Sequence, residues 1–395
     1  MSPPGALLLP PAPPLLVEDD LSGLARTLTP DDLVVVDHGV RAAVEPLRTS
    51  RATVLGLDPC RPVAALVDTV LRGLPAGRAT VVAVGGGTVM DAVKLAAAVP
   101  RGAESVWRWR LATGYGRVAL PREWTPAHRV VCVPTTLGTS SESNATVVLR
   151  DEATALLVQG RGLTAAEVRV SEQALHTLSQ RQRRLGLWEI LLRLLGPYVD
   201  GPSRLAGADL LAEPLISHLL RRVVDASPVA DDELVPTVLL GTQTHRSLLH
   251  AGRLPFAHPL WALCHEVAHE MGVSKMSATL TALPGWVDLL TGDGEPNRGK
   301  RLERCLGEAR TSHDQLLAAA ASLAGAAPWR TRVDADRVAD RLRQRWVPLG
   351  YPALYAQVEV VRRVLGPAGT PGEAGAPADR SGALVGAHPA SGAAG

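Results

Sequence analysis

The stretch Val81-Val-Ala-Val-Gly-Gly-Gly-Thr-Val-Met-Asp-Ala-Val-Lys94 constrains this chain more than any other. Four apolar residues, three of them β-branched, end on glycine, which is how a strand buried on both faces of a parallel sheet reads. Gly85, Gly86 and Gly87 have no Cβ, so their backbone can take positive φ and lie close against a ligand. Thr88 to Ala98 has the alanine-rich make-up of a helix, and the first-turn N–H groups of a helix lack intrahelical partners. Exposed amides and the positive end of a helix dipole together suit a diphosphate. A tight strand-to-helix turn without a ligand gives the same letters, so the rest of the chain has to decide.

Asp91 and Lys94 fall three apart on that helix and share a face near the glycines. A carboxylate there does not bind phosphate, but it can accept from a nicotinamide carboxamide. The ordinary dinucleotide fingerprint G-x-G-x-x-G is absent. What Gly85-Gly-Gly-Thr-Val-Met-Asp-Ala-Val-Lys94 resembles is the glycine-triplet signature of the iron-containing alcohol dehydrogenase and dehydroquinate synthase-like superfamily, with Thr88 in place of serine. A second signature of that superfamily is resembled by Pro134-Thr-Thr-Leu-Gly-Thr-Ser-Ser-Glu142, a hydroxyl-rich loop following an apolar strand. Thr135, Thr136, Thr139 and Ser140 can bond ribose, phosphate and adenine edges, although such loops commonly do no more than cap helices.

Upstream, Asp31-Asp-Leu-Val-Val-Val-Asp-His-Gly39 reads as a strand ending in an acid and a turn. An acid at that edge accepts both ribose hydroxyls and repels a 2′-phosphate, so Asp37 argues for NAD over NADP; a solvated turn aspartate is the plainer alternative. Residues 52–56 read as a strand and 61–74 as a helix, continuing the alternation. Residues 150–170 read as a closing hairpin and return strand, and Trp107, Trp109, Tyr115 and Trp124 are expected to line a substrate entrance.

The 395 residues predict three parts: an NAD-binding α/β domain with a parallel sheet over 1–180, an all-α catalytic domain over 181–365, and a disordered Gly/Ala/Pro tail over 366–395. A formal net charge of +2 gives no reason to invoke nucleic acid or a membrane surface. The four cysteines are far apart and form no Cys-x-x-Cys pair, which fits buried thiols in a reducing cytoplasm. The N-terminus lacks a basic region and is broken by prolines, a poor export signal.

The resemblance implies a catalytic metal, iron or zinc, held by an Asp and a His four residues apart on one helix and by two later His. On this chain those positions fall at Glu189, Arg193, His265 and Lys275, and only His265 is unchanged. Two cations cannot be ligands in their usual charge states and disfavour a divalent ion nearby, so a metal on Glu189 and His265 is expected to be weak or absent. The chemical reading is that Lys275 and Arg193 stabilise an alkoxide or clamp a carboxylate where the metal would act, while His265 relays a proton. Alternatively, Lys275 and Arg193 merely pair with Glu189 or Glu266, leaving a catalytically silent NAD-binding partner subunit.

His265-Glu-Val-Ala-His269 is also literally the His-Glu-x-x-His of zinc proteases, but Lys275 stands where the longer motif needs its third ligand. His269 is then a substrate-contact or supporting residue. His245, His250 and His258 read as ordinary polar positions, with His258 able to reach the cleft. The expected activity is NAD-dependent oxidation of an alcohol, or reduction of a carbonyl, between the domains. More narrowly, the chain resembles the dehydrogenases of daptide-type (ribosomal) peptide biosynthesis, which implies natural-product tailoring by oxidation of a C-terminal threonine with loss of its carboxylate. A metal-dependent sugar-phosphate cyclase of the dehydroquinate synthase type is the other enzymatic reading. The partners expected are a small molecule or a peptide C-terminus and, as an option, further copies of the chain.

Overall fold

The computed structural model describes residues 13–100, 102, 114–150, 155–201, 205–246, 248–253, 258–292, 296–325 and 327–366. Trp107, Trp109 and the tail beyond Gly366 lie outside the described residues.

Six strands form a parallel sheet: β1 (Leu15–Glu18), β2 (Leu33–Asp37), β3 (Thr53–Leu57), β4 (Thr80–Gly85), β6 (Arg129–Pro134) and β9 (Glu167–Ser171), in the order β1-β9-β6-β4-β2-β3. The glycine-triplet strand β4 is thus central, paired in register with β2 (Val81 opposite Leu33) and β6 (Val81 opposite Val130). The unbroken apolar runs are explained by the two faces. Leu33, Val35, Val81, Ala83, Val130 and Cys132 pack under the helices Val63–Gly73 and Gly87–Ala98. Val34, Val36, Val82, Val84, Val131 and Val133 pack with Leu21, Leu24 and Leu47 on the other side. Alternate side chains point to opposite faces and both faces are dry, so no polar alternation survives.

The helix Gly87–Ala98 is buried from Val89 to Ala98 because the sheet lies on one side and a hairpin on the other. That hairpin is β7 (Thr146–Arg150) antiparallel to β8 (Ala155–Gln159), with β5 (Arg117–Ala119) added parallel to β8. It begins four residues earlier than the sequence suggests. Trp124 is not at an entrance: it is 8% exposed in the core beneath this hairpin, whereas Tyr115, the other described residue of the expected aromatic lining, is open to solvent.

From Gln180 the chain is helical. Helix Gln180–Asp200 starts on a capping box in which Ser179 and Gln182 bond reciprocally, the arrangement that satisfies two orphan amides at once. Its apolar faces join helices Ala206–Val224, Pro259–Met271 and Lys275–Thr291 in one core that also takes up Val168 and Val170 from the sheet and Leu137 from the loop after β6. The sheet's last strand and the helical region therefore share a core, and the 135–142 loop is wedged between them. No helix among the described residues is long and apolar enough to cross a membrane.

Candidate active site

The turn after β4 is built for close approach. A Cβ on Gly86 would lie 3.0 Å from Thr136 Cγ2, one on Gly87 3.4 Å from Thr139 Cβ, and one on Gly85 2.8 Å from Val89 Cβ and 3.2 Å from Asp37 Cβ. Space, not backbone freedom, favours glycine at Gly85 and Gly86: none of the three has positive φ, and Gly86 sits at φ −77°. The positive φ expected there occurs in the facing loop, at Gly138 (+86°) and Ser140 (+51°). No side chain caps the helix that begins at Gly87, so the first-turn amides at Gly87 and Thr88 have no such acceptor. The turn thus meets Asp37 on one flank and the Thr135–Ser140 loop on the other. Thr135 N–H donates to Gly85 O at 3.0 Å, and the Thr136 and Thr139 hydroxyls lie 3.4 Å apart.

Asp91 and Lys94 do share a face, and the structure spends them on the protein. Asp91 accepts from the Ser141 hydroxyl and, at 2.8 Å, from Val148 N–H. Lys94, 1% exposed, donates to Ser141 O at 2.7 Å, Thr146 O at 2.9 Å and Asn144 Oδ1 at 3.2 Å, which occupies its three N–H bonds. Lys94 therefore buttresses the 141–146 segment rather than presenting an open donor to a cofactor. Burial raises the Asp91 pKa against the opposing pull of Lys94, Ser141 and Val148.

Glu189, Arg193, His265 and Lys275 lie near one another in the structure. The Lys275 ammonium bonds the Glu189 carboxylate, their side chains 24% and 13% exposed, and among the described residues it has no second acceptor. Burial works to raise the Glu189 pKa, but Lys275 and Arg193 outweigh it and hold the carboxyl below its usual range. His265 is 4% exposed, packed at a 58° tilt against Trp261 (centroids 4.1 Å apart), and its Nε2 has no hydrogen-bond partner among the described residues. Burial first, then the cations Lys275 and Arg150, push its pKa well down, so the imidazole is neutral at pH 7.

Arg193 is not a free carboxylate clamp. Its N–H groups go to Gly138 O, to Ser140 Oγ at 3.0 Å and to Thr244 Oγ1 at 3.1 Å. Burial lowers its pKa, against Glu189 and Glu142. The family's metal does not fit these residues: one ligand position is neutralised by an ammonium, another is a guanidinium already saturated by the loop, and no group of three potential ligands exists among the described residues.

The protease motif separates in space. Glu266 turns away from His265 to accept from Arg341 Nε and Trp346 Nε1, both at 2.7 Å, so it is a buried structural carboxylate and not a base. His269 follows one turn after His265, partly exposed. His258 does not reach the cleft: it lies edge-on to Trp286 and 3.8 Å from Asp200, inside the helical core. His250 Nε2 is 2.7 Å from Thr244 O, and burial brings its pKa down to about 4.

Two residues at the site went unassigned from sequence. His245 is pushed well below its ordinary pKa by burial and then by Arg193, His250, Lys275 and Lys94, which puts it among the site's cations. Glu142, 2% exposed, accepts from Thr242 Oγ1 at 3.0 Å while its Oε2 has no partner among the described residues, and burial raises its pKa. Glu142 stands in the second signature; His245 has no local signal.

A six-stranded parallel sheet with a glycine turn, followed by a helical region packed against its last strand, is the architecture that solved structures match. Residues 31–165 match the family described as iron-containing alcohol dehydrogenase. Over residues 31–165 the chain is therefore similar to that family of oxidoreductases. A stretch of 87 residues is 47% identical to a phosphonoacetaldehyde reductase of Streptomyces viridochromogenes, a match spanning 22% of each protein. Over most of its length the chain has the fold of NADH-dependent butanol dehydrogenase A from Thermotoga maritima (16% identity, TM-score 0.65, 89% of this chain and 96% of that one). It has likewise the fold of a sulfoacetaldehyde reductase from Bifidobacterium kashiwanohense solved with NAD+ (16% identity, TM-score 0.64, 88% and 95%).

Proposed function

We propose that this chain is an NAD-dependent dehydrogenase interconverting an alcohol and a carbonyl compound between the glycine turn and the helical region, with the Lys275 ammonium in the role of the metal. The observation that carries the reading is the meeting of the Gly85–Gly87 turn with Thr136 and Thr139, where an added Cβ on Gly86 would lie 3.0 Å from Thr136 and one on Gly87 3.4 Å from Thr139. Such a cradle suits a diphosphate seated on bare amides. When bound, NAD supplies the hydride acceptor. The chain's own residues do the rest. Lys275, fixed by Glu189 with N–H bonds to spare, aims positive charge at the oxygen whose charge grows as hydride leaves. Neutral His265, with a free Nε2, can accept or return the hydroxyl proton.

Phosphonoacetaldehyde and sulfoacetaldehyde, named for the two relatives, are aldehydes with an anionic group, and a peptide C-terminus offers a carboxylate. An ammonium with unfilled donors, and Arg150 close enough to His265 to depress its pKa, favour a substrate that carries an anion near the reacting carbon. For a C-terminal threonine, hydride passes from the β-carbon to NAD+ and the hydroxyl proton leaves. The resulting β-keto acid then loses its carboxylate as carbon dioxide. The test is NADH formation or consumption with alcohols and aldehydes of both kinds, before and after chelator. Turnover insensitive to chelator supports a metal-free dehydrogenase, whereas loss with chelator favours a metal enzyme such as the cyclase. Tight NAD binding without turnover favours the silent subunit, for which the Lys275–Glu189 pair is the observation in hand.

Asp37 sets cofactor choice in this reading. It ends β2 beside Gly85, its Oδ1 accepting from Gly39 N–H at 2.8 Å. Asp37→Ser is expected to shift the NAD/NADP preference toward NADP by roughly tenfold or more, by removing a charge that repels the 2′-phosphate. Measuring kcat/KM with both cofactors checks it; an unchanged ratio would detach Asp37 from the ribose.

A further inference from the structure

We infer that Arg193 is the positioning residue of the cofactor loop: its guanidinium holds residues 138–140 in the backbone arrangement that faces the glycine turn, so that dinucleotide affinity, not hydride transfer, depends on it. The inference rests on the proposed dinucleotide site and adds a role that neither the family nor the relatives' names supply.

Arg193 lies in the middle of helix Gln180–Asp200 and reaches in two directions. Toward the loop it donates to Gly138 O, to Thr139 O at 3.4 Å and to Ser140 Oγ at 3.0 Å. Toward helix Leu234–Arg246 it donates to Gly241 O at 3.4 Å and Thr244 Oγ1 at 3.1 Å. A planar fork of five N–H donors can bridge this many acceptors; an imidazole offers two nitrogens at most and a lysine three donors from one point.

The segment it grips is strained. Ser140, at φ +51°, is one of two non-glycine residues with positive φ among the described residues, and Gly138 two positions earlier is at +86°. Such backbone persists where its surroundings over-determine it. Between these two residues stands Thr139, whose side chain is the wall opposite Gly87. The fork, the strained backbone and the cradle form one continuous chain of contacts. Without the fork, Gly138 and Ser140 are free to relax, and Thr136 and Thr139 leave the positions that face the diphosphate seat. The Lys275–Glu189 bond itself is kept, because neither partner uses these donors, and Arg193 acts on that pair only through its charge.

The experiment measures NAD dissociation by calorimetry, and KM for NAD against kcat, on the full chain and on Arg193→Ala, Arg193→Lys and Thr244→Val. Arg193→Ala is expected to raise both Kd and KM for NAD at least about tenfold, the loss of several charge-assisted bonds, with kcat at saturating NAD within about threefold of the parent. Millimolar guanidinium is expected to restore part of the affinity, and Arg193→Lys to fall in between. Thr244→Val removes one acceptor and is expected to weaken NAD binding less, which keeps the idea testable if Arg193→Ala does not fold. Unchanged NAD affinity in every folded variant overturns the inference. So does a fall in kcat with KM for NAD unmoved, which would put the guanidinium on the reacting atoms. Failure of the parent protein itself to bind NAD overturns the dinucleotide reading, and that result needs no variant.

Discussion

Lys275→Ala is expected to lower kcat by about a hundredfold to a thousandfold, the usual cost of removing one preorganised donor from a developing oxyanion, while Kd for NAD changes little. The same change leaves Glu189 with Arg193 alone of the two cations that hold its pKa down. At 13% exposure, a carboxylate that loses its directly bonded cation costs about 2–3 kcal/mol, below the cost for a fully dry pair because Lys275 is itself 24% exposed. The signs of the pH effects separate the two roles. In the parent, the Glu189 pKa lies below its ordinary value of 4.5, so its contribution to stability is complete above that value and is lost as pH falls through the lower folded pKa. In Lys275→Ala burial is opposed by Arg193 alone and the folded pKa rises from its parent position, so the variant should gain stability relative to the parent as pH falls from neutral toward the carboxylate range. Lys275→Ala with Glu189→Gln should recover stability but not turnover. Thermal melts across pH and steady-state rates on the three proteins check this; recovery of turnover in the double variant would mean that Lys275 does no more than neutralise Glu189.

What could be read from sequence was local. Strand β4, its glycine turn and the following helix are visible because burial on both faces leaves an uninterrupted apolar word, and because three glycines mark a place where neighbouring side chains lie against the backbone. The meeting of Glu189 with Lys275 was legible through the spacing of the resembled ligand positions, 86 residues apart. The role of Arg193 was not. Its acceptors are backbone carbonyls and hydroxyls 48 to 55 residues away, and carbonyls leave no trace in a sequence. Glu266 shows the same limit from the other side. Its place in His-Glu-x-x-His suggests a base, but helix geometry puts it off the His265 face, toward Arg341 and Trp346, 75 and 80 residues further on. Lys94 looks like a cofactor contact by proximity and proves to be consumed by three acceptors that follow it by about fifty residues.

The largest loss of stability is expected at Gly138, where two costs coincide. At φ +86° any Cβ is strained, and here the Cβ would lie 2.5 Å from Gly186 O and 3.0 Å from Glu189 Cβ, against helix backbone that cannot swing aside. The first cost is about 1–2 kcal/mol and the second about 1–3 kcal/mol, so Gly138→Ala should lose roughly 3–4 kcal/mol and melt several degrees lower. Gly272 separates the two. It caps helix Pro259–Met271 at φ +64° with nothing within 4 Å of an added Cβ, so Gly272→Ala bears the backbone cost alone, about 1 kcal/mol. Gly186→Ala bears the steric cost, since its Cβ would meet Leu137 Cβ at 2.3 Å without positive φ. Because the 138–140 segment is the wall that carries Thr139 toward Gly87, Gly138→Ala and Gly186→Ala should also weaken NAD binding, and Gly272→Ala should not. Denaturant melts paired with NAD titrations on the three variants test this, and equal losses at Gly138 and Gly272 would show that the loop does not rest on the helix as closely as its glycines imply.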